Sequence, residues 1–372
     1  MSGSERATED GTKRYAERFA SATGHGHYRK ASGLWLSSIG LGTYLGHWDD
    51  RTDQMYEEAI KRAIELGCNV IDSAINYRFQ RSERAIGTAL KKLISAGKVA
   101  RDEVVIATKG GFFPFELEFP KDQSRWIREN LIDPGIADPE QIVESHCMSP
   151  RYLDDQLNRS LNNLGVSTID IYYVHNPETQ LNGVGHVEFL RRLRSAFEFL
   201  EKAVEDGRIG CYGTATWNGY RIASNARGYL SLPEVLDVAK DVAGDNHHFS
   251  VIQLPYNLGM PEALTSACQT VEGDPLSTFE AATRLGFTVM VSATILQAKL
   301  TQNLPGFVAT ALKGLTTDGQ RAIQFVRSTP GVTTALVGMS QRSHVEENMM
   351  VARVPPAPIE EFLQIFGDHE SE

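Results

Sequence analysis

The chain has 372 residues, 41% hydrophobic and 23% charged, so it carries enough apolar material for a sizeable core and is not disordered wholesale. Lys and Arg number 37 against 47 Asp and Glu, a net charge of −10 with no long basic run, which argues against nucleic acid and anionic membrane as partners. Cys68, Cys147, Cys211 and Cys268 lie far apart without a CxxC pair, which excludes a disulfide framework and a cysteine zinc site.

In chain order, residues 1–26 are polar and rich in small residues, and predict a flexible N-terminal arm. The stretch has no apolar segment of a secretion signal, and no run of 18 apolar residues follows anywhere, so the expected compartment is the cytoplasm. The arm ends in Gly24-His25-Gly26-His27, which is not taken as a metal tract.

From residue 34 short apolar runs alternate with amphipathic, helix-length segments. Strands are predicted at 37–43, 69–74, 103–109, 168–175, 208–214, 249–254, 287–293 and 333–338, each rich in Val, Ile or Tyr. Helical patterns fall at 53–66, 82–96, 150–164, 188–205, 231–243, 276–285, 318–328 and 342–351. Strict alternation predicts an α/β chain folded as a (β/α)8 TIM barrel over residues 27–372. An open doubly wound sheet would show a glycine-rich phosphate turn after its first strand, and GLGTYLG is not one. A long insert, 111–149, separates the third strand from its helix; its Phe112, Phe113, Phe115, Phe119 and Trp126 either line a pocket or form a satellite core.

In such a barrel reactive groups project from the C-terminal ends of strands. Asp72, Lys109 and His175 each end an apolar run, and Tyr77 follows Asp72 in the loop. Singly they also read as a cap, a rim charge, a core histidine and loop packing. The surrounding strings resemble the aldo-keto reductase family: GLGTYLG at 40–46, AIELGCNVIDSAINY at 63–77 with SERAIGTAL at 82–90, VVIATKGG at 104–111, SPRYLDDQLNRSLNNLGVSTIDIYYVHNP at 149–177 and STPGVTTALVGMSQRSHVEEN at 328–348.

The resemblance implies reversible hydride transfer between a nicotinamide and an aldehyde or ketone. Tyr77 would be the proton donor, Lys109 the charge that favours its phenolate, Asp72 the lysine's partner and His175 the group that fixes the carbonyl. It implies NADPH, with NADH as the lesser expectation, held by Gly42, Thr43, Thr216, Asn218, Gln253, Ser292, Gly338, Ser340, Arg342, His344 and Asn348. Trp48, Phe112 and Asn176 are expected beside the substrate. The chain departs from the family at Ala215-Thr216, where Ser-Asn is usual, at Ser292, where a stacking tyrosine is frequent, and at His344, often an arginine. The implied partner is a small carbonyl or alcohol, an oligomer being compatible. Alternatives are a nicotinamide-binding regulatory subunit with slow turnover, resembling potassium-channel barrel subunits, and a lyase or isomerase reusing Tyr77 and Lys109. No metal site is expected; His247-His248 lacks ligand company.

Overall fold

The alternating apolar strands and amphipathic helices do close on themselves. A computed structural model describes residues 5–367. In chain order the elements are α1 (Glu9–Arg18), β1 (Tyr28–Ala31), β2 (Leu34–Ser37), β3 (Ile39–Gly42), α2 (Asp50–Glu65), β4 (Val70–Asp72), α3 (Arg81–Ser95), β5 (Val105–Gly110), α4 (Gln123–Ile127), α5 (Pro150–Leu164), β6 (Ile169–His175), α6 (Glu178–Val184), α7 (His186–Glu205), β7 (Ile209–Ala215), α8 (Leu232–Ala243), β8 (Phe249–Pro255), α9 (Glu262–Thr265), β9 (Gln269–Val271), β10 (Asp274–Leu276), α10 (Thr278–Arg284), β11 (Thr288–Ser292), α11 (Gly306–Ala311), α12 (Asp318–Ser328), β12 (Thr334–Gly338), α13 (Arg342–Met349) and α14 (Ile359–Leu363). The closed barrel runs β3-β4-β5-β6-β7-β8-β11-β12, all parallel, and β12 pairs back onto β3.

Every predicted strand and helix is found, with ends shifted by a few residues. Local chemistry sets those ends. Ser149 and Pro150 open α5 and left-handed Gly165 closes it; Ser277 and Glu280 form a reciprocal cap on α10. Strand alternation does the rest. Val70, Val105, Ala107, Ile171, Tyr173, Ala215, Val251, Met290 and Leu336 fill the barrel interior as one buried cluster. Counting in twos toward each strand's C-terminal end from that interior set gives Asp72, Lys109, His175, Gln253, Ser292 and Gly338, with Ala215 itself ending β7 and Gly42 in register beside Asp72. These eight residues ring one mouth of the barrel.

The opposite mouth is plugged. The antiparallel β1–β2 hairpin lays Leu36 against the interior cluster, with Ala31 and Leu34 packed on it, and the turn residue Ser32 bonds Thr288 on β11 at 2.7 Å. The predicted flexible arm is corrected here: residues 9–18 form α1, capped by Thr8, and Tyr15 is fully buried with its hydroxyl on the carbonyls of Ile64 and Cys68. Gly11 makes the close approach feasible, since a Cβ there would stand 2.2 Å from the Asp102 carbonyl oxygen. Residues 1–4 of that stretch lie outside the described residues. His27 is a core histidine, buried between Ser38 and the Gly67 carbonyl.

The insert carries its own small core. Phe113, Phe115, Leu131, Ala137 and Cys147 are buried together with Tyr152 of α5, and Phe79 and Trp126 pack on them. Of its five aromatics, Phe113, Phe115 and Trp126 therefore serve the satellite core, whereas Phe112 turns to the barrel mouth and Phe119 is exposed. Among the described residues, no helix is long and apolar enough to cross a membrane.

Candidate active site

The C-terminal mouth gathers the four strand-end and loop residues singled out by the sequence. Lys109 Nζ donates to Asp72 Oδ1 at 2.6 Å and to the Ser73 carbonyl at 2.6 Å, and Gln253 Nε2 donates to Asp72 Oδ2 at 2.8 Å. Both carboxylate oxygens are thus engaged, as burying an ion pair requires. Lys109 is 1% exposed, and burial pushes its ammonium below the ordinary 10.5 against the opposing pull of Asp72.

Tyr77 sits over this pair, its ring centroid 5.0 Å from Lys109 Nζ. Its ring meets Tyr44 edge-on at 4.9 Å and His175 at 5.9 Å. The sequence reading has Lys109 favouring the phenolate. In the structure burial is the larger effect, reinforced by the Asp72 charge, and it raises the Tyr77 hydroxyl well above its ordinary 10.0. Lys109 directs two of its three N–H donors to Asp72 and the Ser73 carbonyl. A tyrosine is already a protonated phenol at neutral pH, and burial reinforces that state for Tyr77. His175 is pushed well below 6.5 by burial, then by Lys109 and His146, so its imidazole is neutral.

A second sector lies around the ring on β7, β8 and β11. Thr216 follows β7 and Thr294 follows β11; both are buried, and neither hydroxyl has a partner among the described residues. Buried hydroxyls without partners are costly unless a ligand completes them. With the Gln253 amide between them, they offer the donors and acceptors that a nicotinamide carboxamide needs, so the residues present fit that group. Thr216 is set by Glu178, whose Oε1 accepts from the backbone N–H of Trp217, Asn218 and Gly219 at 2.7, 3.0 and 3.4 Å. Asn218, by contrast, is exposed, and its Oδ1 accepts from Arg221 Nη2 at 2.8 Å. Thr43 is buried and bonded to the Asp72 carbonyl and Ser73, so it braces β4.

Further round, Gly338 ends β12 and Ser340 is half-buried before α13, with Arg342 and His344 exposed at the helix start and Asn348 buried within it. Arg342 Nε donates to Glu346 at 3.0 Å. Ser292 occupies the mouth without an aromatic ring, as the sequence indicates.

On the substrate side, Tyr44 and Trp48 are exposed in the loop after β3, and Trp48 meets Phe79 edge-on at 5.1 Å. Phe112 stands edge-on to His175 at 5.0 Å, and Asn176 is half-buried in the left-handed region at φ 45°. Sequence reasoning did not single out Tyr44, Thr294 or Glu178. Tyr44 lies within the quoted GLGTYLG, and a threonine two residues beyond a barrel strand was the available signal for Thr294. Among the described residues, no group of three His, Cys, Asp or Glu side chains could hold a metal ion.

A (β/α)8 barrel whose polar side chains converge at the C-terminal mouth is the general layout of barrel enzymes. The sequence model of the Aldo/keto reductase family matches residues 38–270, more than half of the chain, and the chain belongs to that family. An NADH-specific methylglyoxal reductase of Escherichia coli is 29% identical over 207 residues, 54% of this chain, and the chain spans only 54% of that relative. A putative voltage-gated potassium channel subunit beta of Schizosaccharomyces pombe is 24% identical over 347 residues, 86% of this chain and 85% of the relative. The glycerol dehydrogenase structure from Gluconobacter oxydans superposes with a TM-score of 0.64 at 19% identity, covering 92% of this chain and 95% of that one. An aldo/keto reductase from Klebsiella pneumoniae in complex with NADP and acetate gives 0.62 at 20% identity, covering 91% and 94%. These two likenesses establish the fold.

Proposed function

We propose that this protein is a nicotinamide-dependent oxidoreductase that interconverts an aldehyde or ketone and its alcohol, with NADPH as the preferred cofactor. The observation that carries the reading is the buried Asp72–Lys109 pair lying under Tyr77 with His175 alongside. The nicotinamide supplies the hydride, or accepts it in the reverse direction. Tyr77, protonated because burial disfavours its phenolate, gives its proton to the carbonyl oxygen as negative charge develops there. The Lys109 ammonium then faces the phenolate left behind, while Asp72 and the Ser73 carbonyl keep that ammonium in place. Neutral His175 donates a hydrogen bond to the same oxygen and aims the carbonyl. Tyr44, Trp48 and Phe112 offer apolar surface to the body of the substrate.

Thr216, Gln253 and Thr294 would hold the carboxamide. Ser340, Arg342, His344 and Asn348 would meet the adenosine end, where a helix start and an arginine favour a 2′-phosphate. Fluorescence titration with NADPH and NADH in parallel, followed by a panel of aldehydes and ketones, tests the reading. NADPH binds more tightly than NADH and at least one carbonyl turns over. The double change Arg342→Ala with His344→Ala weakens NADPH by about tenfold to a hundredfold and leaves NADH unchanged. If neither nucleotide binds at millimolar concentration, the proposal is wrong.

The likeness to a putative voltage-gated potassium channel subunit beta, over 86% of this chain, favours a second reading, a nicotinamide-binding regulatory subunit. Tight NADPH binding combined with slow turnover of every carbonyl in the panel selects it.

A further inference from the structure

The insert rejoins the barrel beside the histidine that the proposed reaction uses. β5 and β6 pair as far as Gly110 and Val174. One residue further, the His175 carbonyl takes its hydrogen bond from a side chain, His146 Nε2 at 2.6 Å. His146 lies near the C-terminal end of the insert and is fully buried.

Its tautomer is fixed by its neighbours. Arg192 Nη1, which can only donate, bonds Gln180 Oε1 at 2.7 Å and so orients the Gln180 amide. Gln180 Nε2 then donates to the His146 carbonyl at 2.9 Å and faces His146 Nδ1 at 3.2 Å. Nδ1 must accept, so the ring proton is on Nε2 and points at His175. Gly111 leaves the space for this, since a Cβ there would stand 2.5 Å from His146 Nε2. Phe112 packs edge-on against both rings, 5.2 Å from His146 and 5.0 Å from His175.

A working imidazole is ordinarily oriented by a hydrogen bond from its second ring nitrogen. His175 Nδ1 is buried and has no partner among the described residues. Its ring is therefore held from outside itself, by the anchored carbonyl and by the Phe112 and Tyr77 rings. We propose that His146 is a positioning residue for His175: its Nε2–H fixes the end of β6, and Gln180 and Arg192 keep that proton where the carbonyl needs it. The inference rests on the proposed role of His175 at the substrate oxygen.

The test compares His146→Leu with His146→Gln, whose amide N–H can replace the lost donor. His146→Leu lowers kcat for carbonyl reduction roughly ten- to a hundredfold while the Kd for NADPH stays unchanged, because misplacement affects the reacting atoms and not nucleotide binding. His146→Gln restores most of kcat. Gln180→Leu, which leaves His146 in place, serves if His146→Leu does not fold; it lowers kcat in the same direction, and imidazole 15N shifts show loss of the single Nε2–H tautomer. Wild-type kcat in folded His146→Leu, or equal kcat in the Leu and Gln variants, overturns the inference and leaves the redox reading standing. A wild-type protein that binds NADPH and reduces no carbonyl overturns both.

Discussion

Each end of the barrel buries an aspartate beside a cation, and the two pairs are put to different uses. At the plugged end Asp170 Oδ1 accepts from the Ala7 N–H at 2.6 Å, and Oδ2 from Ile106 N–H at 2.7 Å and Arg101 Nη2 at 2.9 Å. Two of its three partners are backbone amides and the third is an arginine guanidinium. It stitches the N-terminal segment, β5 and β6 into one wall. At the open end Asp72 has Lys109 and Gln253, side chains that lie under the Tyr77 ring and within the ring of residues proposed to hold substrate and cofactor. The same requirement, that a buried carboxylate have both oxygens satisfied, closes the fold at one mouth and fixes a buried lysine under Tyr77 at the other.

That contrast is open to direct attack. The largest effect is expected from Tyr77→Phe, which lowers kcat by about 10² to 10⁴ while leaving Tm unchanged, as steady-state rates and a thermal melt would show. Next, Asp170→Asn and Asp72→Asn each cost about 3–5 kcal/mol in urea unfolding, the first because an amide N–H then faces a backbone N–H of Ala7 or Ile106, the second because it strands the buried Lys109. Only Asp72→Asn also lowers kcat of the folded fraction; a matching loss in Asp170→Asn breaks the division between the two mouths.

The smallest effect concerns pH. Burial lowers His27 from 6.5 to about 3 and His146 from 6.5 to about 4. Their unfolded values are higher, so as pH falls below 6.5 the unfolded chain takes up protons first. Stability is intact above that point and is lost toward the folded values, at about 1.4 kcal/mol per pH unit for each histidine. Unfolding free energies at pH 7 and pH 5 measure this. His27→Gln makes the decline shallower without touching kcat, since His27 lies at the plugged end and the other buried histidines, His146 and His175, keep their share.

Eight strands and their helices were legible because each strand is a short apolar run and each helix keeps an apolar stripe. Asp72, Lys109 and His175 were legible because a charge or imidazole ending such a run is visible in the string. What escaped had a weaker signature. In α1 the buried positions are Gly11, Thr12, Tyr15 and Ala16, mostly small residues, so no aliphatic periodicity marks the helix. Asp170 interrupts IDIYYVH near its start, yet its significance depends on Arg101 and Ala7, which only the fold brings near. The pairing of Asn218 with Arg221 likewise follows from a turn that Glu178 organises from the start of α6. Distant partners of this kind leave no local pattern.

The insert departs at Phe112 and returns at His146, and these two residues form an antiparallel bridge. Its two ends are thus neighbours, and the segment between them packs largely upon itself. Chain length grafted between such adjacent ends adds only slowly to the entropy of closure. The barrel accordingly sets little limit on the size of what grows from this gap. The constraint falls on the returning residue, which any exchanged module would have to supply with an N–H in the place of His146.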